Sequence, residues 1–204
     1  MARSKLLDLE HQFTFYSSYH TNLKNVLIHI VCVPTILFTS LVLTHGIAGA
    51  ATSLAHFDFE LLGHTFALDV TVPFLWAAGN ALYFVLLEPV AGLLYAPILL
   101  AMGHYSNVLY SVHHDAAMKY ATIGFIASWI AQFIGHGAFE GRAPALLDSL
   151  LQSLVLAVFF VWLEVLFALG YRPALYKRLQ NKTGVAVAEY RKQRAAKERA
   201  AKQT

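Results

Sequence analysis

Apolar runs of 13 to 24 residues recur along this chain, at Val26–Leu43, Val70–Leu87, Val90–Tyr110, Thr122–Ile134 and Leu146–Leu169. A helix needs about 20 apolar residues to cross ~30 Å of hydrocarbon, where no backbone polar group can turn to water instead. With 57% hydrophobic and only 13% charged residues among 204, the chain reads as an all-α integral membrane protein with no soluble module attached. Its single Cys32 excludes an internal disulfide.

Ten of the fifteen Lys and Arg residues fall between Arg172 and Lys202, and Arg3, Lys5 and Lys24 precede the first apolar run. The positive-inside rule then puts both ends in the cytoplasm, which requires an even number of crossings. Five runs and an even count are reconciled by a polytopic helical bundle of about four full spans plus one re-entrant or interfacial segment. That segment is Leu146–Leu169, which carries Asp148, Gln152 and Glu164, groups a lipid-facing span avoids. The expected organisation is an N-terminal interfacial segment (1–25), a membrane helical domain (26–170) and a basic cytoplasmic tail (171–204). The connection from Thr44 to Asp69 holds Asp58, Glu60 and Asp69 but no Lys or Arg, and reads as a translocated loop. Glu88-Pro89 breaks the helix between the second and third runs and makes them a hairpin. In the tail, Arg194, Glu198 and Lys202 at four-residue spacing read as a solvated helix, with anionic lipid as the alternative contact.

Three histidines sit where a membrane segment should not want them: His20 and His29 at the mouth of the first apolar run, and His136 between Gly135 and Gly137. Ionisable groups at membrane depth cost about 2.5–3.5 kcal/mol on insertion scales, and a neutral imidazole is a common metal ligand. Their two readings are metal ligands and hydrogen-bonded packing residues. The expected topology brings all three to the cytoplasmic level and sets His113 and His114 near the opposite face. His20 and His29 are nine residues apart, about 180° around one continuous helix, so they meet only if the chain bends between them. Thr21 or Asn22 supplies that bend as an N-cap. Asn25 shares a helix face with His29, and Glu140 shares one with His136 if the helix runs through Gly137. Glu140 then reads as a ligand, as an acceptor for a ligand imidazole N–H, or as the partner of Arg142. Three imidazoles with open positions suit iron or zinc alike. The histidine boxes of membrane di-iron hydroxylases are absent. Phe13, Phe15, Tyr16, Tyr19, Phe133 and Phe139 lie near these histidines in sequence and read first as an interfacial aromatic belt, with a wall that keeps water from the site as the alternative.

The string F-Y-x-x-Y-H-x-N-x-K-N-V-L-I-H-x-x-x-V-P-T-I-L-F from Phe15 to Phe38, and Q-F-x-G-H-G-x-F-E-x-R-x-P-A-L from Gln132 to Leu146, resemble the 2-hydroxy fatty acid dioxygenase family. The resemblance spans most of the chain, from Leu6 to Gly170. It implies an Fe(II)-dependent dioxygenase of the endoplasmic-reticulum membrane, acting in phytosphingosine breakdown, that uses O2 to shorten a 2-hydroxy long-chain fatty acid by one carbon. Carried over by motif position, His20, His29 and His136 are the expected iron ligands, with Glu140 and Asn25 as ligands or orienters in the catalytic set. Arg142 and Lys24 are placed to attract the substrate carboxylate, with Tyr19 as a further substrate contact. Membrane lipid is an expected partner and nucleic acid is not; the sequence fixes no oligomeric state. Two other function classes stay open: a non-catalytic lipid-binding or membrane-organising protein, and a zinc-dependent membrane hydrolase.

Overall fold

The computed structural model describes residues 5–61, 63–141 and 152–202. In chain order the elements are α1 (Leu9–Ser17), α2 (Leu23–Thr44), β1 (Ala55–Leu61), β2 (His64–Val70), α3 (Val72–Leu87), α4 (Pro89–Gly135), π-helical turns at His136–Glu140 and Gln152–Leu156, α5 (Ala157–Ala168) and α6 (Pro173–Ala201). They form two compact units, one of Met1–Leu27 with Gly135–Thr204 and one of Ile28–Ile134.

In the first unit, Asp8 caps α1 by accepting from the His11 amide at 3.1 Å. Leu9, Phe13 and Tyr16 recur at helical spacing and line the buried face of α1. Phe13 is fully buried and meets Phe160 and Phe167 edge-on, at ring separations of 5.4 and 5.7 Å. Helix α5 is apolar except for Glu164, as a largely internal helix must be, and Phe159, Phe160 and Leu163 have no exposed surface. Helix α6 starts after Arg172, whose φ of 42° is left-handed, with Pro173 in its first turn. Its Leu175, Leu179 and Thr183 are buried at four-residue spacing, and the Thr183 hydroxyl meets that of Ser17 on α1 at 2.5 Å. Outside this seam Glu10 pairs with Lys182 and Arg178. The first turns of the basic tail are thus packed against the N-terminal helix, and its later turns are exposed.

In the second unit, β1 and β2 pair antiparallel from Ala55↔Val70 to Leu61↔His64, and Gly63 turns the chain at φ 78°. The all-α expectation is corrected here: the helical class holds, but the 44–69 connection carries a two-stranded hairpin. The alternation His56-Phe57-Asp58-Phe59-Glu60 has the period of a strand. Thr71 follows β2 directly and donates to Asn107 at 2.7 Å, and Asn107 donates to the Asp69 carbonyl at 2.7 Å, tying the hairpin base to α4. Glu88 separates α3 from α4 and its carboxylate accepts from the Ala91 amide at 2.6 Å. Helix α4 carries one non-helical residue, His113 (φ −131°, ψ 40°), which kinks it. Val42 of α2 packs there against Ala117 and Ala121.

The expected four full spans are also corrected. Among the described residues one helix, Leu23–Thr44, is long and apolar enough to cross a membrane. The run read as Val70–Leu87 begins in a strand and leaves 16 helical residues, and α5 has only 12. The runs at Val90–Tyr110 and Thr122–Ile134 are not separated by a loop. They lie in one kinked helix whose apolar character is broken by His104, Asn107, His113, His114 and Asp115. The start of the Leu146–Leu169 segment, residues 146–151 with Asp148, lies outside the described residues.

Helices α3 and α4 come close because glycine stands at their contacts. A Cβ on Gly92 would sit 2.4 Å from the Val85 nitrogen and 2.5 Å from the Phe84 carbonyl carbon, atoms of backbone that cannot rotate away. Gly79, by contrast, faces open space. Gly92→Ala is expected to destabilise by about 1–3 kcal/mol through overpacking, and Gly79→Ala to be neutral or to stabilise by up to ~1 kcal/mol. Thermal unfolding of both variants in the same detergent checks the contrast.

Candidate metal centre

The site begins with the way α1 stops. After Ser17 the amides of Tyr19 and His20 bond back to Tyr16 and Ser17 in a final tight turn, and α2 starts only at Leu23. The bend expected between His20 and His29 lies in this gap. Asn22 helps open α2, its side-chain oxygen accepting from the Lys24 amide at 3.0 Å. Asn25 and His29 follow on successive turns of that helix and both are buried.

The other side of the site comes from the far end of α4. Past Gly135 the helix widens into a π turn, His136–Glu140, and closes at Gly141 with φ 58°. Such turns are rare and concentrate at functional sites. His136 is 3% exposed, and its ring centre lies 4.9 Å from that of His20.

His20, His29 and His136 are all buried, and each offers one nitrogen such that the three lie within 4.8 Å of one another. Among the described residues they are the one group of three or more potential ligand side chains so arranged. The His20 Nδ1 faces the Tyr16 carbonyl at 2.8 Å. A carbonyl only accepts, so Nδ1 carries the proton and Nε2 keeps the lone pair a metal needs. Two nitrogens at ~2.1 Å from a shared ion are at most ~4.2 Å apart. Movements of a few tenths of an ångström per ring would therefore bring the set to bonding distance. Three neutral imidazoles leave coordination positions open and fit ferrous iron or zinc.

Glu140 faces the opposite segment rather than offering its oxygens to the histidines. One carboxylate oxygen accepts from the Thr21 amide at 2.8 Å, the Asn22 amide at 2.9 Å and the Asn25 side-chain amide at 3.1 Å. The other accepts from the Thr21 hydroxyl at 2.8 Å. Four donors occupy the carboxylate, which holds the turn that carries His20 and the first turn of α2. These are contacts that an orienting residue would make, to the turn bearing His20 and to the first turn of α2. Asn25 is part of the same bracket.

The remaining candidates are more dispersed. Lys24 is exposed, with its ammonium 5.5 Å from the centre of the Phe139 ring. Tyr19 is buried and packs on Phe15 at 5.2 Å. Arg142 lies outside the described residues. His114 bonds Asp115 and Tyr110, and neither it nor His104 or His113 joins the trio.

Two further residues carry more than their readings as belt or wall (Tyr16) and as a polar group of the last apolar run (Glu164). Tyr16 lies flat on His20, ring centres 4.1 Å apart at 18°, and its hydroxyl is buried. Burial, then the negative charges of Glu164 and Glu140, push that phenol well above its ordinary range, so it stays protonated. Glu164 on α5 is itself pushed up to about 7 by burial. The signal for Tyr16 was its four-residue spacing from His20, hidden by its resemblance to a belt aromatic.

If Glu140 acts by holding the turn, its charge matters less than its reach. Glu140→Ala is expected to weaken divalent metal binding by about 10–100-fold, and Glu140→Gln, which keeps an acceptor in place, to retain most of it. Calorimetric titration with Fe(II) under argon checks this; equal affinity of wild type and Glu140→Ala would remove the bracket from the account.

Comparison with known proteins points the same way. A family model described as "Mpo1-like: 2-hydroxy-palmitic acid dioxygenase Mpo1-like" matches residues 6–169. The chain is 38% identical over 189 residues to the 2-hydroxy-palmitic acid dioxygenase MPO1 of Saccharomyces cerevisiae, covering 93% of this chain and 97% of that protein. No solved structure matches. A match over nearly the whole length, through both histidine-bearing motifs, means that this chain belongs to the Mpo1-like family of 2-hydroxy-palmitic acid dioxygenases.

Proposed function

We propose that this protein is an Fe(II)-dependent dioxygenase that removes one carbon from 2-hydroxy long-chain fatty acids, using O2. The observation that carries the proposal is the convergence of His20, His29 and His136, buried and within 4.8 Å, although His136 lies 107 positions beyond His29 in the chain. The yeast relative's name supplies the substrate class.

The overall reaction balances without any added reductant. R-CH(OH)-COOH and O2 give R-COOH, CO2 and water: the C1–C2 bond breaks, C2 becomes the new carboxyl carbon, and dioxygen takes up four electrons. Iron held by the three imidazoles would supply the one-electron chemistry that lets ground-state O2 react with a closed-shell acid. The chain itself supplies position and dryness. The Tyr16 carbonyl keeps the proton on His20 Nδ1, so the other nitrogen faces inward. Glu140 fixes the turn bearing His20, and Phe13 and Phe160 close the side behind Tyr16 against water. Lys24, exposed near Phe139, is suited to attract a fatty carboxylate before it enters. Arg142 is proposed for the same task on its motif position, and Tyr19 as a further substrate contact.

A membrane setting belongs to the same proposal. Helix α2 has the length and apolar character of a span, and Leu27 and Val31, one turn apart on it, are both more than half exposed. Leu82 and Leu86 repeat that pattern on α3. Exposed apolar faces of this kind suit lipid. Both chain ends belong to one compact unit and carry most of the basic residues, which supports a cytoplasmic position for both. The endoplasmic-reticulum membrane and a role in phytosphingosine breakdown follow from the family resemblance.

The test uses the full chain in detergent or nanodiscs. With Fe(II), 2-hydroxypalmitate is expected to yield pentadecanoate with one O2 consumed per product. A ferrous chelator should abolish turnover, Fe(II) should restore it, and His20→Ala, His29→Ala and His136→Ala should each lower it by about 10–100-fold or more. Turnover that proceeds under argon with zinc would instead mean a hydrolase. Full activity in the three alanine variants, with no bound iron, would leave the histidines as packing residues.

A further inference from the structure

We infer that the Tyr16 hydroxyl is a substrate-binding group that donates a hydrogen bond to the carboxylate of the acid held at the histidine trio. This rests on the proposed dioxygenase reading and adds a residue to its site. Tyr16 is 3% exposed, and its ring lies face to face with that of His20, 4.1 Å between centres. The hydroxyl is therefore no more than a phenol's reach from an imidazole of the trio. Phe13 and Phe160 pack against the same ring, at 6.3 and 5.2 Å, and turn it into a rigid, dry wall.

Within that wall the hydroxyl is buried and, among the described residues, has no hydrogen-bond partner. A phenylalanine would fill the same space without the cost of a buried, unsatisfied donor. Retaining the oxygen therefore points to a partner that arrives with the substrate. A carboxylate is the acceptor that gains most from a neutral O–H in a dry site, since charge-assisted bonds of this type are short and strong. The arrangement also separates Tyr16 from the aromatic belt in which its sequence placed it. Belt residues keep their polar tips in the wet interface, and this one is enclosed.

The experiment compares wild type with Tyr16→Phe, which keeps the ring and its stacking on His20. The first ligand is 2-hydroxypalmitate as substrate, and the second is 1,2-hexadecanediol as competitor, which keeps the tail and the 2-hydroxyl but has no carboxylate. Expected are unchanged iron content, a melting temperature without substrate no lower than wild type, a KM for the acid raised about 10-fold or more, and an unchanged inhibition constant for the diol. An unchanged KM, or equal weakening of acid and diol, overturns the assignment, as does a fall in melting temperature with loss of iron, which would mark the hydroxyl as structural. If the wild type itself fails to oxidise 2-hydroxypalmitate with Fe(II), the parent reading falls and this one with it. If only the Tyr16 comparison fails, the iron site stands without it.

Discussion

One carboxylate holds the candidate site together. Glu140 accepts four hydrogen bonds from Thr21, Asn22 and Asn25, which are 115 to 119 positions away in the chain. The Thr21 and Asn22 amides stand at the opening of α2, where a helix leaves its first N–H groups without internal partners and favours negative charge. A single acidic side chain therefore answers two needs at once. It completes the start of α2, and it fixes the separation of the segments that carry His20 and His136.

That fixed separation makes the buried histidines affordable. Three imidazoles in a dry pocket are tolerable only when neutral and hydrogen-bonded or metal-bound. The Tyr16 carbonyl settles the tautomer of His20 at 2.8 Å, and the stacking of Tyr16 fixes the plane of its ring. The π turn at His136–Glu140 serves the same end by local geometry, since one widened turn presents His136 to the trio and Glu140 to the opposite turn. Metal affinity in such a site depends as much on these supports as on the nitrogens.

Much of this was readable in the residues. The density of His, Asn and Gly around positions 20–29 and 135–141 marked both halves of the site, and nine-residue spacing required a bend that the structure has at residues 18–22. The hairpin was also written in the alternation from His56 to Glu60, but the surrounding apolar runs drew that stretch into a loop between spans. Counting spans failed for a physical reason. An apolar run reports burial or lipid exposure, not helix length, so it could not show that Val70 ends a strand or that His113 bends a helix without breaking it. The contacts of Glu140 with Thr21 and of Tyr16 with Phe160 depend on what faces these residues across the fold. No local spacing shows that Thr21 lies opposite Glu140.

The position of the site suits an amphiphilic substrate. Helix α2 changes character along its length: its first turns carry Lys24, Asn25 and His29, and beyond them the helix is largely apolar through Leu43, with Val31 exposed on its side. A long-chain 2-hydroxy acid has the same polarity, a small polar head on a tail that avoids water. On the proposed reading, binding the head at the histidines would leave the tail beside the apolar turns, so one helix would serve head chemistry and tail burial. Specificity then divides along that axis. Hydrogen-bond donors at the head reject molecules that cannot occupy them, because buried donors left unpaired are expensive, whereas an apolar wall discriminates only weakly between chain lengths. On the proposed reading, the site would be strict about the carboxylate end and tolerant of the tail, set by where the polar residues of α2 stop.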